Sequence, residues 1–137
     1  CCGLSGGGVR TAYLAGLDDR VRCAVSVGFM STWRDFALQK SFTHTWMLYT
    51  PQLPSNLDFP ELLGLRVPLP SLVLAMTEDP LFSLEEVKKA GKIVEELYKA
   101  SGAPGAFRLS LHPGPHRFHR PMQEEAFAWL DRWLGKG

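Results

Sequence analysis

Short apolar runs alternate with longer stretches in which apolar residues return every three or four positions. "RCAVSV" over 22–27, bounded by Asp18-Asp19 and Gly28, reads as a buried strand because apolar and β-branched residues dominate it and leave no polar face. "SLVLAM" over 71–76, introduced by the proline-rich "RVPLP", reads the same way, and "FRLSL" over 107–111 follows the turn residues Gly102, Pro104 and Gly105. Elsewhere the period is that of a helix. Val9, Tyr13, Leu14 and Leu17 share a helical spacing that Gly16 can close. Ser83-Leu84-Glu85-Glu86 has the form of a capping box, ahead of Leu84, Val87, Val94, Leu97 and Tyr98 on one face up to Gly102. Pro121 stands near the start of a last helix, where Met122, Ala126, Trp129 and Trp133 form a stripe with Phe127, Leu130 and Leu134 beside it. Helices alternating with buried strands predict an α/β chain, a parallel sheet flanked by helices.

The stretch 31–66 breaks this rhythm with Trp33, Phe36, Phe42, Trp46, Tyr49 and Phe59 among prolines and small helical segments. An aromatic insertion of this kind forms its own core or lines a pocket above the sheet, and Trp33, Phe36 and Trp46 are the candidates for contact with a substrate.

Composition narrows the function classes. A chain of 137 residues, 45% hydrophobic and 21% charged, suffices for one globular core and is short for two domains. A net charge of +1 with scattered basic residues gives no reason to expect nucleic acid, and Lys88, Lys89 and Lys92 read as a solvated helix face. No apolar run approaches a membrane span and no signal-peptide form is present, so no membrane partner is expected and the assignment is cytoplasmic. Cys1, Cys2 and Cys23 lack a Cys-x-x-Cys pattern, which argues against a disulfide framework or a zinc ribbon and suits a reducing compartment.

The chemistry is concentrated in three loops. Gly3-Leu4-Ser5-Gly6-Gly7 fits Gly-x-Ser-x-Gly, in which a serine sits on a strained turn between a strand and a helix. Gly3, Gly6 and Gly7 meet the need for small residues where those backbones approach, and the helix N-terminus offers the Gly6 amide to a developing oxyanion. Such a turn also suits phosphate, but neither the Gly-x-Gly-x-x-Gly nor the Gly-Lys-Ser/Thr fingerprint is completed here. The other two loops, Thr77-Glu78-Asp79-Pro80 and His112-Pro113-Gly114-Pro115-His116, follow successive strands at the sheet edge where functional residues gather. A serine hydroxyl needs a base to take its proton, and an imidazole needs a carboxylate to fix its tautomer. The acid is Asp79 or Glu78; Asp79 is favoured because it lies deeper in the loop and Pro80 rigidifies it. Among His112, His116 and His119, His116 has room beyond the Pro-Gly-Pro turn to swing toward Ser5. His44, inside the insertion, reads as structural. A zinc site is disfavoured because the prolines prevent a helical arrangement of ligands and no cysteine is near. Neither metal nor cofactor is expected.

"CCGLSGGG", "TEDPLF" and "HPGPHRF" resemble the nucleophile, acid and histidine segments of α/β-hydrolases in the dienelactone hydrolase and acetyl xylan esterase-like branch. The resemblance implies a serine esterase that forms an acyl-enzyme on a small ester substrate, with Ser5 as nucleophile, Asp79 as acid, His116 as base and the Gly6 amide as oxyanion donor. It covers nearly all of 1–137 but only the second half of that family's catalytic domain, so the expected fold is a partial α/β-hydrolase from the nucleophile turn onward. An edge left unpaired before Ser5 invites cover by another copy or by a complementing N-terminal half. The competing expectations are a prolyl oligopeptidase-like peptidase with the same triad order and a non-catalytic module that folds against a partner half.

Overall fold

The computed structural model describes residues 1–44 and 50–135. Its sheet has the strands β1 (Cys2–Leu4), β2 (Ala24–Val27), β3 (Ser71–Met76) and β4 (Phe107–His112), in that spatial order. All pairings are parallel, with Leu4 beside Val27, Val27 beside Leu74 and Met76 beside His112. Parallel strands in register bring their carboxyl ends to one edge, so the loops after β1, β3 and β4 open on the same side. The short β1, ahead of Ser5, is an addition to the strands legible as apolar runs.

Alternation along β3 shows how the layers form. Val73 and Ala75 point into one core with Val9, Phe29, Phe59 and Val94, while Leu72, Leu74 and Met76 point into a second with Met122, Ala126 and Trp129. The helices α1 (Gly6–Leu17), α3 (Phe59–Gly64) and α4 (Leu84–Ala100) pack together over the first face, and α5 (Arg120–Leu134) covers the other. No helix among the described residues is long and apolar enough to cross a membrane.

Several local expectations change. In α1 the buried face is Gly8, Val9, Thr11, Ala12 and Ala15, whereas Leu14 and Leu17 are exposed. The helix lies so close to β2 that a Cβ on Gly8 would sit 2.8 Å from the Val27 carbonyl oxygen, which favours small residues on this face. Gly16 does not close the helix; a Cβ there would meet the Leu62 carbonyl oxygen at 2.3 Å, so its smallness admits α3. Ser83 precedes α4, but its side chain does not cap the helix. Its amide and hydroxyl donate instead to the buried Asp35, and Glu86 accepts from the Thr32 hydroxyl. A complete capping box occurs at α3, between Asp58 and Glu61, where the sequence reading had none.

The insertion opens with a short helix, α2 (Trp33–Asp35), capped by Thr32, and runs on through a π turn at Phe36–Lys40. Phe36 belongs to the core and not to a pocket wall: it is fully buried, stacked on Phe29 and edge-on to Phe59 and Phe82. Trp33 packs against Phe59, and Phe42 is exposed. Trp46 and Tyr49 lie outside the described residues.

Candidate active site

Ser5 is held where the sequence pattern requires it. Its backbone has φ 58° and ψ −116°, a region hostile to a side chain, and its amide donates to the Val27 carbonyl at 2.8 Å. The turn is tight enough that a Cβ on Gly3 would lie 2.5 Å from the Gly7 backbone. The positions of Gly6 and Gly7 are open to a Cβ, so the steric demand falls on Gly3 and Gly8. At the head of α1 the Ser5 side chain makes no capping bond, and the Gly6 amide, in the first turn, has no carbonyl four residues back within the helix.

Asp79 and His116 meet directly. His116 Nδ1 donates to Asp79 Oδ2 at 2.6 Å, and Asp79 Oδ1 accepts from the Leu81 amide at 3.0 Å. The Asp79 side chain is only 3% exposed, so this hydrogen bond is shielded from water and fixes the tautomer with its lone pair on Nε2. His116 Nε2 is buried and has no hydrogen-bond partner among the described residues.

The loops carrying the pair are joined by backbone bonds that extend the β3–β4 ladder. The Thr77 amide donates to the His112 carbonyl, the Glu78 amide to the Gly114 carbonyl, and the Gly114 amide returns a bond to Glu78 Oε1. Glu78 therefore holds the histidine loop while Asp79 holds the histidine. His112 bonds to Glu125 at 2.8 Å and shares that carboxylate with Ser110; His119 precedes α5 with its ring against His112. Neither histidine is bonded to Asp79.

His116 and Leu4, the residue before Ser5, both close on Gly28. A Cβ built on Gly28 would lie 3.0 Å from His116 Cε1 and 3.2 Å from Leu4 Cδ1, and Gly28 has φ 57°. Only glycine leaves the ring its seat beside Leu4, the last residue of β1. Gly28→Ala is expected to displace the imidazole and lower kcat by roughly a hundredfold, with the far-UV circular dichroism spectrum retained; an unaltered kcat contradicts this seating.

Beside Ser5 lies a cavity of about 110 Å³ walled by Val9, Phe29, Thr43, His44 and Phe82. Trp33 and Phe36 do not line it. His44, which reads as structural in the sequence, stands on the wall of this cavity. Its ring packs edge-on to Phe36 and Phe82, and burial pushes its pKa down. Lys40 crosses above, its ammonium donating to the Pro80 carbonyl at 2.9 Å and tying the insertion to the acid loop.

Solved structures superpose on this arrangement over almost the whole chain. A carbohydrate esterase family 15 glucuronoyl esterase from Caldicellulosiruptor kristjansonii aligns at TM-score 0.77 and 16% identity, over 98% of this chain and 42% of that one. A glucuronoyl esterase from Sporotrichum thermophile aligns at TM-score 0.74 and 18% identity, over 99% of this chain and 44% of that one. Methylesterase BT1017 aligns at TM-score 0.75 and 20% identity, over 97% and 29%. The chain has the α/β-hydrolase fold. That bears out the α/β-hydrolase fold implied by the resemblance of the loop segments. No family model matches the chain. In sequence, the Bacillus subtilis (strain 168) protein named "Putative hydrolase YtaP" is 30% identical over 135 residues, or 96% of this chain. The chain spans 44% of that relative's length. In this fold β1 leads into the turn at Ser5, and β3 and β4 lead into the loops that carry Asp79 and His116.

Proposed function

We propose that the protein is a serine hydrolase that cleaves carboxylic esters of small acyl groups through an acyl-enzyme on Ser5. The observation that carries this reading is the 2.6 Å bond between His116 and the buried Asp79, with the other imidazole nitrogen unpartnered among the described residues and the ring seated on Gly28, which also meets Leu4 just before Ser5. The aligned glucuronoyl esterases and methylesterase support ester chemistry over amide chemistry.

In the first half-reaction His116 Nε2 takes the Ser5 hydroxyl proton as Oγ bonds to the ester carbonyl carbon. The carbonyl oxygen becomes an oxyanion facing the Gly6 amide and the positive end of α1. Asp79 stabilises the imidazolium without taking its proton. Collapse breaks the bond to the alcohol oxygen, which leaves with the proton from Nε2. Water then gives its proton to Nε2, attacks the acyl carbon and releases the acid, and the proton returns to Ser5. The full-length protein is expected to hydrolyse 4-nitrophenyl acetate and to leave proline-containing peptides uncut. Cleavage after proline with no ester turnover overturns the reading.

A further inference from the structure

The loop that carries Asp79 is tied from outside the site. Between β3 and α4, two of its residues meet the base: Asp79 bonds to His116, and the Phe82 ring lies 6.2 Å from the imidazole. Three of its residues meet one short stretch of the insertion. Lys40 Nζ donates to the Pro80 carbonyl at 2.9 Å, Phe36 packs edge-on to Phe82, and Asp35 accepts from both the amide and the hydroxyl of Ser83.

These ties are unequal. The Lys40 bond is exposed and competes with water, and ring contacts allow sliding. Asp35 is 1% exposed: its Oδ2 accepts from the Ser83 amide at 3.0 Å and the Ser31 hydroxyl at 2.8 Å, and its Oδ1 from the Ser83 hydroxyl. A carboxylate shielded from water holds its donors strongly and in fixed directions, because an unmet lone pair there is costly. The helix end agrees. The amides of Glu86 and Val87 donate to the Ser83 carbonyl at the start of α4, where a serine side chain would ordinarily cap the first turn. Ser83 makes no such cap. Its hydroxyl turns to Asp35 instead, so a local bond is given up for one across 48 residues.

We propose that Asp35 is a positioning residue for the reaction: through Ser83 it holds the 79–83 loop in the arrangement that keeps the Asp79 carboxylate on His116 Nδ1. This rests on the ester-hydrolase reading above. Asp35 acts through Ser83 and not on substrate. A carboxylate displaced by about 1 Å no longer fixes the imidazole tautomer, and misplacements of that size cost on the order of a hundredfold in rate.

The test reads two quantities in the full-length protein: kcat and KM on 4-nitrophenyl acetate, and the proton magnetic resonance of His116 Nδ1–H, identified by its loss in Asp79→Asn. Asp35→Ala removes both acceptors for Ser83, whereas Asp35→Asn removes the charge but keeps the shape and a carbonyl for the Ser83 amide. In Asp35→Ala, kcat is expected to fall roughly thirtyfold with KM within about twofold. The Nδ1–H resonance is expected to broaden or vanish while circular dichroism shows the fold retained. Asp35→Asn is expected to keep both readouts near those of the wild type. Ser83→Ala, which deletes one of the two bonds, is expected to move both in the same direction by about threefold in kcat, and it decides the matter if Asp35→Ala does not fold. A purely architectural Asp35 lowers the melting temperature and leaves both readouts unaltered; that result in folded Asp35→Ala, or wild-type readouts in Ser83→Ala where Asp35→Ala is unfolded, overturns the assignment. The resonance is read without substrate. A wild-type protein that turns over no ester, yet loses the resonance in folded Asp35→Ala, overturns the hydrolase reading and leaves Asp35 as the residue that positions the imidazole pair.

Discussion

Replacing His116 with alanine is expected to lower kcat on 4-nitrophenyl acetate by roughly four orders of magnitude, and Asp79→Asn to lower it by a comparable factor. The alanine variant loses the only imidazole bonded to Asp79, and His112 cannot substitute because its Nε2 is committed to Glu125 at 2.8 Å. The asparagine variant keeps the shape of the acid loop but can offer an amide proton where Nδ1–H now donates, which favours the tautomer with no lone pair on Nε2. Because the residues act as a unit, the double variant is expected to lose little more than either single one. Steady-state kinetics on the three proteins decide this; a fall of less than tenfold in His116→Ala removes His116 from the base role.

Phe36→Ala is expected to carry the largest stability cost, about 3–5 kcal/mol by urea denaturation. Phe36 is fully buried at the centre of an aromatic cluster, with ring centroids 5.7 Å from Phe29, 5.2 Å from Phe59, 5.7 Å from Phe82 and 4.7 Å from His44. Its removal takes away the transfer free energy of a phenyl ring and leaves a void between partners fixed by separate elements: Phe29 after β2, Phe59 in α3 and Phe82 ahead of α4. Those partners collapse poorly onto a void because each is anchored elsewhere. The same variant is expected to raise KM for short esters, since Phe82 and His44 wall the Ser5 cavity. A cost below 1 kcal/mol shows that the insertion repacks and that Phe36 is no keystone.

The parts of this architecture set by local composition were legible in the sequence, and those set by tertiary competition were not. Ser71–Met76 was read to the residue because a strand buried on both faces is a continuous apolar run ended by a polar loop. The β2 strand is two residues shorter than "RCAVSV". Ser83 and Glu86 had the right types for a capping box, yet the buried carboxylate of Asp35 and the hydroxyl of Thr32 outbid the helix end for them. That exchange pins the start of α4, next to the Asp79 loop, to the insertion, a bond across 48 residues that no local pattern encodes. In α1 the helical period was correct but the face was rotated, because at a close helix–strand contact the buried residues are the small ones.

The same division runs through the candidate site. Ser5, Asp79 and His116 each follow the carboxyl end of a strand, so strand order places all three at one edge of the sheet. Gly28 was visible only as the end of a strand; its role depends on the imidazole that settles over it. His44 reaches the Ser5 cavity only once α1, the β2 loop and the insertion have packed, so no local pattern marks it as a wall residue.

Covalent acylation of Ser5, with His116 as its base, is open to measurement. Treatment of the full-length protein with a fluorophosphonate, followed by peptide mass spectrometry, measures this most directly. A single adduct is expected on the peptide containing Ser5, abolished by Ser5→Ala and strongly slowed by His116→Ala. Labelling that persists in Ser5→Ala, or no adduct on folded wild-type protein, contradicts it.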